Sequence, residues 1–454
     1  MVSNQTGLTG RQSTAVVIGG SIAGLLAAAA LAKHFGQVVI IENDLPPRPD
    51  QVRKGAPQGA HVHGFLAAGC QALEQLLPGI IDEALATGAQ SGDMLTDALF
   101  YVGAHTRFVS GLSHIQGLVA SRPLLEYVIY QRVSRIGNVA IRHRQKVTSL
   151  QFDSSRQTVT GVLFRDKNEP ATCLVLNADL VIDASGRGSR LPNWLTQAGY
   201  SPAQRDELAI NITYSSCFFK RDGKISNAIK AVFVAPDATN PVPSGLMEQD
   251  GERWIVSCGS YGERQAPADL PAFMDYLQRH SAPEIHAIAQ ASEPIGAPQR
   301  YHYSNSVRHR YEKLRRFPNN LMLLGDTLCS FNPVYGQGMS IAARQAQALH
   351  QHLSNAQRGG WRGYFKRMAN IIADPWEFAI TSDLSLPCVK GKRYPGFHLV
   401  QRYTERMMRA ASRDLHVARA VLQVIHMLKP ATALFSPPLI WRVLLHGGSA
   451  LPRA

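Results

Sequence analysis

The chain has 454 residues, 45% hydrophobic and 18% charged, with a formal net charge of +14; that is enough for a large core and excludes a disordered or fibrous protein. Six cysteines, at 70, 173, 217, 258, 329 and 388, form no CxxC and no Cys/His cluster, which argues against a bound metal or a redox disulfide and for reduced thiols in a cytoplasm. No run reaches the roughly 18 apolar residues of a spanning helix, and residues 1–13 lack the apolar heart of a signal peptide, so a cytoplasmic protein is expected.

The first organised stretch is VVIGGSIAGLLAAAALAKHFGQVVIIEN, Val16 to Asn43. Buried-strand runs, Ala15 to Ile18 and Val38 to Ile41, flank a helix-length apolar segment from Ile22 to Ala32. Gly19 turns the chain out of the strand, Gly20 and Ser21 let backbone approach a pyrophosphate, and Gly24 lets the helix pack on the strand. A pyrophosphate would then sit at Ser21, Ile22 and Ala23, on the positive end of the helix. Glu42, followed by Asn43, closes the second strand where a carboxylate accepts from ribose hydroxyls and disfavours a 2′-phosphate. The unit therefore predicts a site for FAD or NAD rather than NADP. A mere parallel-sheet fragment with a tight turn would leave Glu42 unexplained.

Asn43 to Gln58 reads as an extended loop rich in proline, arginine and glycine, leading to Gly59-Ala60-His61-Val62-His63-Gly64 and a helix from Phe65 to Leu77. Ala98 to Val102 and Thr106 to Val109 alternate like strands, and Pro123 to Ile136 is helical, with Gly137 just past its end. Strand-like runs follow at Lys146 to Phe152, Thr158 to Phe164 and Ala178 to Asp183. Residues 207–262 change character: Ala209 to Phe219, Lys230 to Val234, and a hairpin signal at Asp250-Gly251 before Arg253 to Cys258 predict an antiparallel sheet inserted into an α/β body. Leu321 to Asp326 is a buried strand ending in Gly325-Asp326, followed by Pro333, Gly336 and Gly338 and a helix from Met339 to about Leu353. Two backbone-to-ligand turns with only one dinucleotide fingerprint suggest one long cofactor, FAD, lying across the body.

Four segments carry a family resemblance: VVIGGSIAGL; RKGAPQG (Arg53 to Gly59); LVIDASGRGS (Leu180 to Ser189); and LLGDTLCSFNPVYGQGMS (Leu323 to Ser340). On these the chain resembles the FAD-dependent monooxygenases of the para-hydroxybenzoate hydroxylase superfamily. The resemblance implies an α/β fold with an FAD-binding Rossmann-like domain of glutathione-reductase type, discontinuous over 1–90, 111–205 and 301–385. An antiparallel β-sheet substrate domain, 91–110 and 206–300, would be interleaved with it, and 386–454 would form a basic helical C-terminal region. It also implies that Asp326 holds the FAD ribitol, that the turn from Pro333 to Gly338, running into Met339, lies beside the isoalloxazine, and that Arg122 reaches the cofactor. Arg53 and Gln58 of the second segment, Asp183 and Gly186 of the third and Gly325 of the fourth join the cofactor set, Asp183 as the buried residue that fixes the loop at Gly186. The segment Pro57-Gln58-Gly59-Ala60-His61-Val62-His63 looks like the branch acting on lipophilic natural products, including polyketide and terpenoid epoxidases.

The chemistry so implied is insertion of one oxygen atom from O2 into an alkene or aromatic ring through a flavin C4a-hydroperoxide. The protein must exclude water, stabilise the leaving alkoxide and hold the substrate. His61, His63, Asn332, Pro333 and Gly336 are the candidate catalytic residues in front of the flavin, with backbone N–H groups of Asn332 to Gly338 facing the alkoxide; as an alternative, both histidines are structural donors at a domain seam. Two positions depart from the family pattern. The electron source is expected to be NAD(P)H or a separate flavin reductase; Ser185 stands where an aspartate usually serves FAD and nicotinamide, which argues against direct reduction by NAD(P)H, and Cys329 stands where a histidine is common. A non-oxygenating flavoprotein dehydrogenase or reductase acting on an unsaturated lipophilic substrate is the alternative reading. A flavin halogenase would carry Trp-x-Trp-x-Ile-Pro, a pattern none of the five tryptophans forms.

From Lys390 onward, eleven Lys and Arg stand against Glu405 and Asp414, nine of the net +14. Apolar spacing at Val417, Ala420, Val421, Val424, Ile425 and Leu428, with Trp441 beyond, predicts helices that pack on the flavin domain or rest peripherally on an anionic membrane. No nucleic-acid module accompanies this charge. The expected partners are a small lipophilic substrate, O2 and a flavin reductase.

Overall fold

The computed structural model describes residues 10–221, 229–262, 265–355 and 360–448. The segment read for a signal peptide falls, over 1–9, outside these residues.

The glycine-turn unit lies at the centre of a five-stranded parallel sheet, in the order Leu321–Leu323, Leu180–Asp183, Gly10–Ile18, Phe35–Ile41, Val139–Arg142. Ile18 stands opposite both Ile41 and Asp183, and Asp183 opposite Leu323. The strands therefore end level, and the turns at Gly19, Gly186 and Gly325 leave from one edge, where ligands of open α/β sheets bind. The helix Ile22–Leu31 is buried along nearly its whole length. An all-round apolar helix belongs inside, and this one is enclosed by helices Arg122–Ser134 and Gly338–Ser354.

The inserted sheet has eight strands, in the order Cys329–Ser330, Pro294–His309, Arg205–Lys220, Arg253–Tyr261, Ser244–Gln249, Ala231–Ala235, Ala98–Val102, Thr106–Arg107. Its pairs are antiparallel except Ala231–Ala235 with Ala98–Val102, which run parallel because the latter arrives from a distant part of the chain. The strand Pro294–His309 carries polar residues on both faces and shows no alternation, so the expected boundary at 300/301 falls inside it. Amphipathic helices Leu270–His280 and Pro283–Ala291 cover one face, where Leu246 and Val256 pack with Phe273 and Leu277. Met247 and Ser257, next along the same strands, turn to the opposite face and line the main cavity. The helix expected from Phe65 begins at Ala67, because Gly64–Phe65 pairs with Leu118 and Val119.

Four helices close the chain: Gly360–Ser385, Phe397–Ala411, Leu415–Ile425 and Pro437–His446. Asp414 caps the third, accepting from the N–H groups of His416 (2.8 Å) and Val417 (3.1 Å). Val417, Val421 and Leu422 pack with Leu95, Phe108 and Ile115 of the body. Much of the tail's positive charge serves a local purpose. Arg406, Arg409 and Arg413 donate to the carbonyls of Val443, Gly447 and His446 at the negative end of the last helix. Among the described residues no helix is long and apolar enough to cross a membrane.

Candidate active site

One cavity of about 1340 Å3 runs from the glycine turn, past the level strand ends, to a wall shared by the eight-stranded sheet and the tail helices. It exceeds the roughly 300–1,000 Å3 of a single-ligand pocket, so it has room for a cofactor and a substrate together.

At one end the turn is shaped by close backbone approach. Gly19 has φ +97°, and a Cβ there would lie 2.8 Å from the Ala184 carbonyl oxygen; a Cβ on Gly24 would lie 1.8 Å from the Gly19 oxygen. Ser21, Ile22 and Ala23 line the cavity from the helix start. Glu42 is buried and accepts from the N–H groups of Gly20 (2.5 Å) and Asp44 (2.7 Å). Asn43 is exposed, and its carbonyl accepts from Lys167. Arg53 pairs with buried Glu126 at 2.6 Å and lies 3.7 Å from Glu42, while Arg122 donates to the Ser21 hydroxyl at 3.0 Å. Among the described residues, Arg53 Nε and Nη1 and Arg122 Nε are buried without a hydrogen-bond partner. Arg122, on the cavity wall beside the helix N-terminus, fits the pyrophosphate of an FAD. Gln58 also lines the cavity, whereas Gly19, Gly24, Glu42, Asn43 and Arg53 stand behind its wall.

Gly325 touches this turn from the other side: its φ is +74° and a Cβ would lie 2.8 Å from that of Ala23. Asp326 lies on the cavity wall. Burial raises its carboxyl above the usual range, while the Arg122 and Arg187 charges pull it down. Gly186 lines the cavity and its N–H donates to the Thr327 hydroxyl at 3.0 Å, tying the second and third turns together. Asp183, expected in the cofactor set, is fully buried and does not line the cavity. Its oxygens accept from the Ser185 N–H (3.0 Å) and hydroxyl (2.5 Å) and from the Ser189 hydroxyl (2.5 Å), so it holds the loop rather than a ligand.

His61 and His63 both line the cavity. His63 Nδ1 is 2.9 Å from the His61 carbonyl oxygen; a carbonyl only accepts, so the proton sits on Nδ1 and Nε2 is a bare acceptor. His61 Nδ1 is 2.7 Å from the Ser216 hydroxyl, which in turn bonds Ser257. Burial lowers His61 to about 4 and, with the nearby Arg122 charge, His63 to about 3. Near neutral pH both rings are therefore neutral hydrogen-bonding groups.

The loop beside them is held from behind. Asn332 is fully buried, and its Oδ1 accepts from the Tyr214 hydroxyl (2.8 Å) and the Val334 N–H (3.1 Å). Its Nδ2 donates to the Tyr261 oxygen (2.9 Å) and to Asp383 Oδ1 (2.7 Å), which also accepts from Tyr335 (2.8 Å) and Tyr261 (3.2 Å). Asn332 is thus a frame for the loop, and it lines the cavity together with Pro333, Gly336, Gly338 and Met339. The loop N–H groups expected to face an alkoxide are mostly spent: those of Val334, Tyr335 and Gly336 bond within the turn. The donors left are at the start of the helix Gly338–Ser354. Asp383, Tyr214, Tyr261 and Tyr335 escaped sequence reading because four distant segments supply them, and Arg187, whose guanidinium lies 4.1 Å over the Tyr303 ring, had only its place in a Gly-Arg-Gly turn as a signal.

Comparison with known proteins agrees with this geometry. A family described as FAD binding domain matches residues 12–363. Protein Rv3254 of Mycobacterium tuberculosis is 32% identical over 467 residues, covering 97% of this chain and 95% of that protein. Among solved structures, the flavin-dependent brominase Bmp2 superposes with a TM-score of 0.66 at 16% identity, over 96% of this chain and 98% of its own. The p-nitrophenol 4-monooxygenase PnpA from Pseudomonas putida does so with a TM-score of 0.60 at 17% identity, over 92% and 98%. At these identities the structural likeness speaks for the fold.

Proposed function

The chain belongs to the FAD-binding-domain family, and from that premise we propose that it is an FAD-dependent monooxygenase inserting one atom of O2 into a lipophilic substrate, by epoxidation of an alkene or hydroxylation of an aromatic ring. The observation that carries this reading is the single cavity joining the cofactor turns to an apolar wall of Phe100, Phe233, Met247, Met407 and Ile425. Bound FAD supplies the activation of O2 and the transfer of oxygen.

The chain's own residues have three tasks. Ser21 to Ala23, Arg122 and Asp326 would hold the cofactor by its pyrophosphate and ribitol. The N–H groups at the start of the helix Gly338–Ser354 favour negative charge in front of the loop, a preorganised effect that strengthens as water is excluded. The apolar wall, part of it contributed by the tail helices, excludes that water and receives the substrate. An alkene needs no protein base, and neutral His63 offers only an acceptor.

The test uses the FAD-loaded protein, chemically reduced and then mixed with isotopically labelled O2 and a panel of polyenes and polycyclic phenols. Incorporation of one labelled atom into a product supports the proposal. Clean flavin turnover with no label in any compound, but with saturation or desaturation of a probe, would move the protein to the dehydrogenase or reductase reading.

A further inference from the structure

We infer that His426 is a substrate-recognition residue: its Nε2–H is the neutral donor that the far wall of the cavity presents to a carbonyl or hydroxyl oxygen of an otherwise apolar substrate. This rests on reading the cavity as a substrate site.

His426 follows the helix Leu415–Ile425 and lines the cavity as a residue only 2% exposed. Its Nδ1 lies 3.2 Å from the backbone nitrogen of Ala67, the first residue of the helix Ala67–Leu76, and its own carbonyl accepts from the N–H of Ala68 at 3.2 Å. A backbone N–H only donates, so Nδ1 is the acceptor and the ring proton is on Nε2. Burial lowers the imidazole to about 4, and the positive end of the helix at Ala67 acts in the same direction. The ring is therefore neutral with one fixed tautomer. Nε2 has no protein partner among the described residues and is not among the buried atoms sealed from solvent without one, so the covered ring keeps this edge open toward the cavity.

The surroundings define what it can take. Met407, Val421 and Ile425 of the tail, with Phe65 and Gly117 of the body, line the same cavity as the ring. A buried donor without an acceptor is costly, and a ligand that supplies an oxygen removes that cost, whereas a hydrocarbon of the same shape leaves it in place. A neutral imidazole gives no charge to a carboxylate. The favoured substrate is thus an apolar frame bearing a ketone, quinone, lactone or hydroxyl oxygen away from the reacting carbon.

Binding of 9-fluorenone and of fluorene to the resting FAD-loaded enzyme tests this, followed by the perturbation of flavin absorbance. Wild type is expected to bind the ketone about 3- to 10-fold more tightly than the hydrocarbon, the range of one neutral hydrogen bond. His426→Phe should lose that preference with fluorene affinity little changed. His426→Gln, whose amide can accept from Ala67 and still donate, should recover it and shows that the fold persists. Equal affinity for the two probes in wild type, no binding of either, or equal weakening of both in the variants overturns the inference. The measurement involves no turnover, so its failure leaves the oxygen-insertion reading to be judged separately by label incorporation.

Discussion

Asp383 is where the structure makes its sharpest quantitative demand. The carboxyl is fully buried; Oδ1 takes three donors and Oδ2 has no partner among the described residues. Burial pushes it up to about 6, with the Tyr335, Asn332 and Tyr261 donors pulling the other way. An unfolded aspartate titrates near 4, so in the range between these values the folded protein binds more protons than the unfolded chain. Stability contributed by this group is thus greatest below about pH 4 and is lost as pH rises through about 6. Two units correspond to roughly 3 kcal/mol.

Asp383→Asn keeps an acceptor for Tyr335, Tyr261 and Asn332 and cannot ionise. It leaves an amide N–H where the protonated wild-type carboxyl carries an O–H, neither with a partner among the described residues. Relative to wild type the variant should therefore be close to equal stability at pH 4.5 and the more stable protein, by about 3 kcal/mol, at pH 8. Urea unfolding at fixed excess FAD, run for both proteins across that range, isolates the difference, because all other carboxylates cancel. Parallel pH curves would refute the reasoning. Asp383→Ala, which orphans the hydroxyls of Tyr335 and Tyr261, should cost about 2–6 kcal/mol at neutral pH and loosen the loop in front of the flavin.

Four further outcomes are expected. Gly24→Ala, whose Cβ meets a backbone oxygen at 1.8 Å, should lower stability by about 1–3 kcal/mol or more and reduce the flavin-to-protein absorbance ratio of the purified protein. His61 and His63, with folded values depressed, stabilise the fold above about pH 6.5 and lose that contribution as pH falls through their folded values; oxygenation rates should show no histidine inflection between pH 6 and 8, and one abolished by His63→Asn would contradict the neutral assignment. Ser185, both of whose donors are spent on Asp183, replaces the family's nicotinamide-facing aspartate, so anaerobic mixing with NAD(P)H alone should bleach the flavin slowly and a separate flavin reductase should bleach it faster. The exposed Trp441, Leu444 and Leu445 stand on the basic tail; the full chain should sediment with anionic vesicles and not with neutral ones, and Trp441→Ala combined with Leu445→Ala should abolish it, whereas equal pelleting on both lipids would limit the tail to packing.

The cofactor end of this protein was legible along the chain. Gly19 to Glu42 spells strand, turn, helix and strand within reach of local periodicity, and Gly325-Asp326 repeats the signal at the end of a buried strand. Gly24 answers to the Gly19 carbonyl five residues away, a local collision, whereas Gly19 and Gly325 meet Ala184 and Ala23 across the fold and are legible only because a positive φ turn calls for glycine. The second half of the site had no such mark. The strand Pro294–His309 mixes exposed and buried positions on both faces and so shows no alternation, and Asp383 and His426 sit in ordinary helical sequence. Their roles come from partners 51 and 359 residues away, Asn332 and Ala67, so only folding brings the donors and acceptors together. Likewise the tail's positive charge, read along the chain as helices that pack on the flavin domain or rest on an anionic membrane, is partly taken up by carbonyls at the end of the last helix. Composition counts charges, whereas the tertiary structure decides which of them have already found a partner.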